Sequence, residues 1–170
     1  IPQRMFAECT LLQYIDFPSC TSMGIECFIN CNSITTVTLG YSSIYFDEIP
    51  NPNGIHEISF PNVLYVNNAL KDNIGLITCK LHKASVIEAS AFEGCINLVD
   101  LEIPNAIEFV GDRTFYKCGK LKSLLLKNLQ TVNPENFQIF QGCTSLQMIS
   151  FPSSPPKTFH KDTFKGLNAN

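Results

Sequence analysis

The stretch that decides the fold reads Ser90-Ala91-Phe92-Glu93-Gly94-Cys95 and continues with Leu98, Leu101 and Ile103. It joins a Phe-x-x-Cys anchor to an apolar triplet with the spacing Leu-x-x-Leu-x-Ile. The same frame returns along the chain at intervals of 21 to 25 residues, with its Cys position at 9, 31, 52, 73, 95, 118 and 143. A period in the twenties is typical of a solenoid, so the sequence predicts about seven coils.

An apolar triplet follows every anchor. The last two members of each triplet alternate with polar residues, which is the period-2 pattern of a short strand with one buried face. A single coil cannot bury that face alone, so we expect the coils to stack around one continuous core and their strands to form a parallel sheet. The triplets are Leu12-Ile15-Phe17, Ile34-Val37-Leu39, Ile55-Ile58-Phe60, Leu76-Cys79-Leu81, Leu98-Leu101-Ile103, Leu121-Leu124-Leu126 and Leu146-Ile149-Phe151.

The remainder of each coil returns the chain to the next strand. A second apolar pair, such as Val63 and Val66 or Leu129 and Val132, turns it back towards the core. The segment that ends in Phe-x-x-Cys, 89–95 in the coil quoted first, has the length of one short helical turn. We therefore expect short helical turns or irregular segments on the side opposite the sheet.

Five of the eight cysteines occupy the same position of the repeat. A disulfide framework needs partners in complementary places, so we interpret these five as buried free thiols that pack as small hydrophobes. A bridge between Cys20 and Cys27 stays open. The five equivalent residues are Cys9, Cys31, Cys95, Cys118 and Cys143.

The repeat resembles the BspA-like class of leucine-rich repeats, most clearly where Leu98, Leu101, Ile103 and Pro104-Asn105 follow the 90–95 motif. This resemblance covers nearly the whole chain and implies a right-handed solenoid with its parallel sheet on the concave side. It weakens in coils three and four, where Pro52 and Asn73 replace the Cys and 51–54 is typical of a tight turn. Proteins similar to this family are largely cell-surface or secreted proteins linked to adhesion or host contact.

We expect one domain over 1–170, in which 152–170 breaks the repeat and forms a closing segment. The net charge of −3 comes from interspersed charges, and no Lys/Arg run favours nucleic acid. No stretch is long and apolar enough for a membrane span. The sequence leaves the oligomeric state and the identity of the ligand open.

The residues between the buried triplet members should point outward from the sheet and form the partner-binding face. Tyr14, Leu125 and Met148 are the unusual ones, because apolar side chains on an exposed sheet face are candidate anchors. The alternatives are ordinary surface hydrophobicity and cover from a neighbouring coil or subunit. The predicted partner-binding residues are Tyr14, Asp16, Glu57, Lys80, Asp100, Glu102, Leu125 and Met148.

Two patterns invite a metal interpretation, and we favour neither. Asp100 and Glu102 share a strand face, but the oxygen-rich loop of a calcium site is missing around them. We therefore expect a solvated acidic patch, or pairing with Lys80 and His82 one coil back. Cys79 and His82 have a Cys-x-x-His spacing, but no second ligand pair follows at a zinc-site distance.

No pattern predicts catalysis, a cofactor or a metal. The triplet repeat contains no Cys-x-x-Cys, phosphate-binding loop or nucleophile motif. We expect a non-enzymatic module, surface-exposed or secreted, that binds a protein or glycoprotein. The alternatives are a cytoplasmic scaffold or regulator, which free thiols fit equally well, and a spacer without a specific ligand.

Overall fold

The computed structural model describes residues 1–24, 26–42, 54–133, 137–157, 159–165 and 167. Over these residues the chain forms a parallel β-solenoid of about six turns with almost no helix. Most of the coil-three anchor region, 49–53, lies outside the described residues. The strands are β1 (Tyr14–Phe17), β2 (Thr36–Leu39), β3 (Glu57–Ser59), β4 (Tyr65–Val66), β5 (Thr78–Lys80), β6 (Val86–Ile87), β7 (Asp100–Glu102), β8 (Glu108–Phe109), β9 (Ser123–Leu125), β10 (Thr131–Val132) and β11 (Met148–Ser150).

The strands predicted from the triplets form the main sheet column. A five-stranded parallel sheet runs in the order β1-β2-β3-β5-β7, and β9 pairs in parallel with β11. Strand β9 packs beside β7 and continues the column. The register places each central triplet residue beside the next, as Ile58 beside Cys79 and Cys79 beside Leu101. Matching side chains therefore face the core in every coil, as the alternation predicted.

A second parallel sheet stands where the sequence indicated only an inward turn. Its order is β4-β6-β8-β10, with two residues in each strand. The buried member of each strand belongs to the second apolar pair, as Val66 and Val132 do. Two residues are too few to show an alternation, so the apolar pair indicated burial without indicating a strand.

Opposite the main sheet we expected short helical turns or irregular segments, and the described coils have mainly irregular turns there. Among the described residues the structure has one 3-10 helix, Asn68–Leu70. In coil five the amides of Ser90, Phe92 and Gly94 donate to carbonyls of the following coil at 2.8–2.9 Å. A helix would direct those donors to its own preceding turn, so the donors are committed between coils and cannot build one.

This turn segment has a repeated backbone signature. Ser90 and Gly94 have φ of 57° and 74°, and Arg113 and Lys117 repeat the pair one coil later at 58° and 64°. Left-handed φ at two positions four residues apart reverses the chain twice around the buried aromatic ring between them. The motif is costly for residues with a Cβ, so the stacking of neighbouring coils must stabilise it.

The core is a column of aromatic rings behind the turns and aliphatic triplets behind the strands. Every member of the middle five triplets is buried, whereas those of the first and last coils are partly exposed apart from Ile15. Phe115 stacks between Phe92 and Phe140, with ring centroids 5.5 Å apart on both sides. Phe164 extends the stack beyond Phe140 at 5.8 Å.

The repeated cysteines form a second column beside the rings. Their thiols donate to the carbonyl of the Phe position in the preceding coil, as Cys118 does to Phe92 and Cys143 to Phe115 at 3.0 Å. All eight cysteines are free, including Cys20 and Cys27. The expectation of burial was right for four of the five and wrong for Cys9, which is exposed because no described coil covers that side of it.

One buried carboxylate ties three coils together on the turn side. Glu93 Oε1 lies 2.8 Å from Arg113 Nη2, and Glu93 Oε2 lies 3.4 Å from the Lys71 ammonium group. Burial raises its pKa, but the hydrogen bonds from Ser90 and Lys71 and the charges of Arg113 and Lys71 outweigh burial and leave the pKa lowered. The carboxylate is therefore charged at neutral pH and contributes to stability.

Candidate functional site

The outward side chains of the main column form a continuous surface, here called the strand face. It carries two rows, one for each outward position of a strand. The first row is Tyr14, Thr36, Glu57, Thr78, Asp100, Ser123 and Met148, and the second is Asp16, Thr38, Ser59, Lys80, Glu102, Leu125 and Ser150. All eight residues predicted to contact a partner lie on this face and are at least partly exposed.

A groove of about 510 Å³ crosses the middle of the strand face. It brings five of the eight predicted residues together and leaves out Tyr14 and Asp16 in the first coil and Met148 in the last. The buried Leu101 forms part of its floor. The lining residues are Glu57, Thr78, Lys80, Asp100, Leu101, Glu102, Ser123 and Leu125.

The charged side chains in and beside the groove differ in whether they have a partner. Lys80 Nζ lies 3.0 Å from Glu57 Oε1, and this hydrogen bond, together with the charge of Glu57, raises the pKa of Lys80. His82 Nε2 lies 2.9 Å from Glu102 Oε2. The expected pairing thus occurs for His82 and Glu102, whereas Lys80 turns to the other side. No cation of the described chain lies within ion-pair distance of Asp100.

Three apolar side chains stand out on the strand face. Tyr14, Leu125 and Met148 are 66%, 48% and 51% exposed. They lie in different coils, and only Leu125 borders the groove. An exposed apolar side chain on a sheet face is a candidate anchor for a partner.

Sequence reasoning missed a patch next to the groove, here called the aliphatic rim: Ile74, Ile77, Ile96 and Val99. The three isoleucines are 42–47% exposed, and Val99 is half-buried. Ile77 and Val99 immediately precede β5 and β7, at the corner where the chain enters the strand face. The sequence pattern that could have indicated this patch is Ile-x-x-Ile or Ile-x-x-Val directly after the anchor position. These residues are not members of the apolar triplets on which the prediction was based.

Within the described chain, the candidate metal-binding side chains are dispersed and most of the thiols are buried. Among the described residues, no three His, Cys, Asp or Glu side chains converge as a metal site would require. Cys79 is fully buried in the core, and burial raises the pKa of its thiol. Burial likewise raises the pKa of Cys95 and Cys143 to about 12, which keeps them protonated and poor nucleophiles.

Within the described residues, no helix has the length and apolar character needed to cross a membrane.

Comparison with known proteins agrees with the repeat architecture. The model of the BspA type leucine rich repeat region matches residues 1–84 and 66–170, in six copies. A crystal structure of a leucine-rich repeat protein from Bacteroides ovatus ATCC 8483 is similar, with a TM-score of 0.52 and 22% identity. The alignment covers 97% of this chain and 50% of that chain, so this chain spans about half the length of that protein. No protein of curated function matches. The chain belongs to the BspA-type leucine-rich repeat family.

Proposed function

We propose that this chain is a non-enzymatic binding module that holds a protein or glycoprotein on its strand face. The observation that carries the proposal is the in-register column of short strands, whose two outward rows leave a groove of about 510 Å³ open to solvent. Seven strands at ~4.8 Å spacing give a face about 30 Å long. A face of that length suits a standard protein interface of about 800 Å² per partner.

The anchors of this interface are the eight predicted residues. Tyr14, Leu125 and Met148 supply apolar area, and the groove charges orient the partner. Asp100 is the group best placed to receive a cation from outside, since it has no ion pair in the described chain. Electrostatic complementarity of this kind contributes mainly to specificity and to the rate of association.

For location we favour the cell surface or the secreted medium, with a role in adhesion or host contact. The support is membership of the BspA-type family, because proteins that resemble this family are largely cell-surface or secreted proteins. A specific observation favours the alternative of a cytoplasmic scaffold or regulator. All eight cysteines are free, and disulfides are rare in a reducing compartment.

We also propose that the chain is one domain of seven coils and that 152–170 closes its stack. The contact that supports closure is Phe164, whose ring lies 5.8 Å from that of Phe140 and nearly parallel to it. Buried Pro156 and Thr163 lie in the same segment. Such a segment covers the end of the aromatic column, where the Phe140 ring would otherwise face solvent.

The function is tested by protein capture with matched variants. The immobilised chain is exposed to detergent-extracted surface proteins and, separately, to cytosolic proteins, and bound proteins are identified by mass spectrometry. The variant Tyr14→Ala/Leu125→Ser/Met148→Ser should lose the captured proteins. The control, Leu64→Ser/Ile107→Ser, removes two exposed apolar side chains beside the second sheet and should retain them.

The outcome distinguishes the adhesion, scaffold and spacer hypotheses. Variant-sensitive capture from the surface fraction supports the adhesion role, and capture from the cytosolic fraction supports the scaffold. If both variants capture the same proteins as the parent chain, the strand face is not the binding surface. If neither fraction yields a bound protein, the spacer interpretation replaces the proposal.

A further inference from the structure

The aliphatic rim is continuous across two neighbouring coils. Hydrogen bonds join these coils along the rim, from the Val99 amide to the Ile77 carbonyl at 2.9 Å and from the Asn97 side chain to the Ile74 carbonyl at 2.8 Å. The position of Ile77 and Val99 is taken by His56 in the coil before and by Lys122 in the coil after. Polar side chains therefore bound the rim on both sides.

The rim adjoins Asp100, the groove carboxylate for which the described residues supply no ion pair. The Asp100 amide donates to the Ile77 carbonyl at 3.2 Å, so this residue enters the strand face directly beside the rim. Its register partner Thr78 lies in the same row of the face. An apolar strip and a carboxylate without an ion pair in the described chain thus stand side by side. In the neighbouring strands Lys80 is paired with Glu57, and Glu102 is hydrogen-bonded to His82.

We propose that the rim and Asp100 together bind an extended protein segment that carries a lysine or arginine next to a bulky aliphatic residue. The cation would pair with the Asp100 carboxylate, and the aliphatic side chain would cover Ile77 and Ile96. This inference rests on the proposed function and names the chemistry of its partner. Charge complementarity favours this occupant over a segment of acidic or purely polar character.

The size of the patch fits a short segment. Covering the exposed part of an aliphatic side chain removes apolar area from water, and a charge-assisted contact adds to the affinity without requiring a large interface. A peptide of this kind should therefore bind weakly but specifically, as transient recognition elements do.

The test uses a random linear peptide library displayed on phage and selected on the folded chain. Recovered peptides should carry Lys or Arg beside Leu, Ile or Val. Synthetic copies should lose about ten-fold or more in affinity for Ile77→Ser/Ile96→Ser and for Asp100→Lys, and stay within about two-fold for the control Leu64→Ser/Ile107→Ser. Both isoleucines are partly exposed, so a thermal melt should show the fold retained.

A charge swap sharpens the result. A peptide in which the selected Lys is replaced by Glu should bind Asp100→Lys better than the parent chain, because the pair is restored with reversed sign. Absence of that rescue overturns the proposal, as does a set of peptides without the basic and aliphatic pair.

Other occupants appear as distinct outcomes. Concentration-dependent dimers of the chain in sedimentation velocity, lost in Ile77→Ser/Ile96→Ser, would identify a second copy as the occupant and overturn the proposal. If Tyr14→Ala/Leu125→Ser abolishes peptide binding and the rim variant leaves it intact, the strand face still binds and the rim does not. Failure to recover peptides counts against the rim alone, because protein capture tests the strand face separately.

Discussion

The strand side and the turn side of this solenoid both form hydrogen bonds between neighbouring coils, but with different backbone conformations. On the strand side, extended residues pair in parallel with a register that keeps Ile58, Cys79 and Leu101 in line. On the turn side, residues such as Ser90 and Arg113 adopt left-handed φ so that their neighbours can also donate to an adjacent coil. Both sides make coil-to-coil hydrogen bonds, and only the strand side makes them with unstrained backbone. The difference predicts which substitutions each side tolerates.

The largest effect is expected on the strand side, from Leu101→Asp. Leu101 is 8% exposed and lies between Cys79 and the strand that carries Leu124. An unpaired charge there should cost about 4–5 kcal/mol or more, enough to unfold several coils. Urea titration followed by circular dichroism measures the loss. The control Leu125→Asp, at an outward position of the next strand, should change the free energy of unfolding by less than about 1 kcal/mol.

On the turn side, Phe115→Ala should cause the next largest loss of stability. The ring stacks on Phe92 and Phe140 and meets the edge of Phe109. Its removal leaves a cavity in the aromatic column, and the expected cost is about 3–5 kcal/mol. Thermal denaturation should show a lower Tm, and Phe115→Leu should recover part of it. Equal melting temperatures for Phe115→Ala and the parent chain would show that the column contributes little.

Glu93→Gln tests whether charge supports the turn side. Since the folded state lowers the pKa of Glu93, its contribution is present above the pKa of the unfolded carboxyl and is lost as pH falls through the lower folded value. At neutral pH we expect a loss of about 2 kcal/mol, moderated by the partial exposure of Lys71 and Arg113. The gap between variant and parent should narrow in acid. A gap that does not depend on pH contradicts the assignment.

The smallest effect is expected from Gly94→Ala. Gly94 has φ of 74°, and an added Cβ would meet the Asp72 side chain of the preceding coil. Left-handed strain plus this contact should cost about 1–2 kcal/mol. Gly119 stands one coil later with no atom nearer than 3.8 Å to an added Cβ. Gly119→Ala is therefore the matched control and should be neutral in the same urea titration.

The strand side could be predicted from the sequence because its signal is repeated and local. The apolar positions of each triplet predict which of its residues are buried. Because one face of every strand must be buried, the strands must also pair in the same register. Strand positions such as Val37 and Leu124 and the outward positions of Lys80 and Glu102 follow from that alternation.

The turn side could not be predicted in the same way. The segment 89–95 has a helical length, but the partners of its amides lie in the next coil, about one repeat away in sequence. No pattern within the segment indicates whether its amides bond to their own turn or to the next coil. The exposure of Cys9 and the aliphatic rim also depend on what lies beside a residue in the stack, which the frame of one coil does not contain.

The row of thiols behind the turns has a practical consequence. Each of Cys31, Cys95, Cys118 and Cys143 is shielded by its own coil and its neighbours, whereas Cys9 is open to solvent. An alkylating reagent therefore reaches a shielded sulfur only when that coil separates from the stack. The sequence thus carries its own reporters in coils two, five, six and seven, through which fraying from either end can be followed without introducing a label.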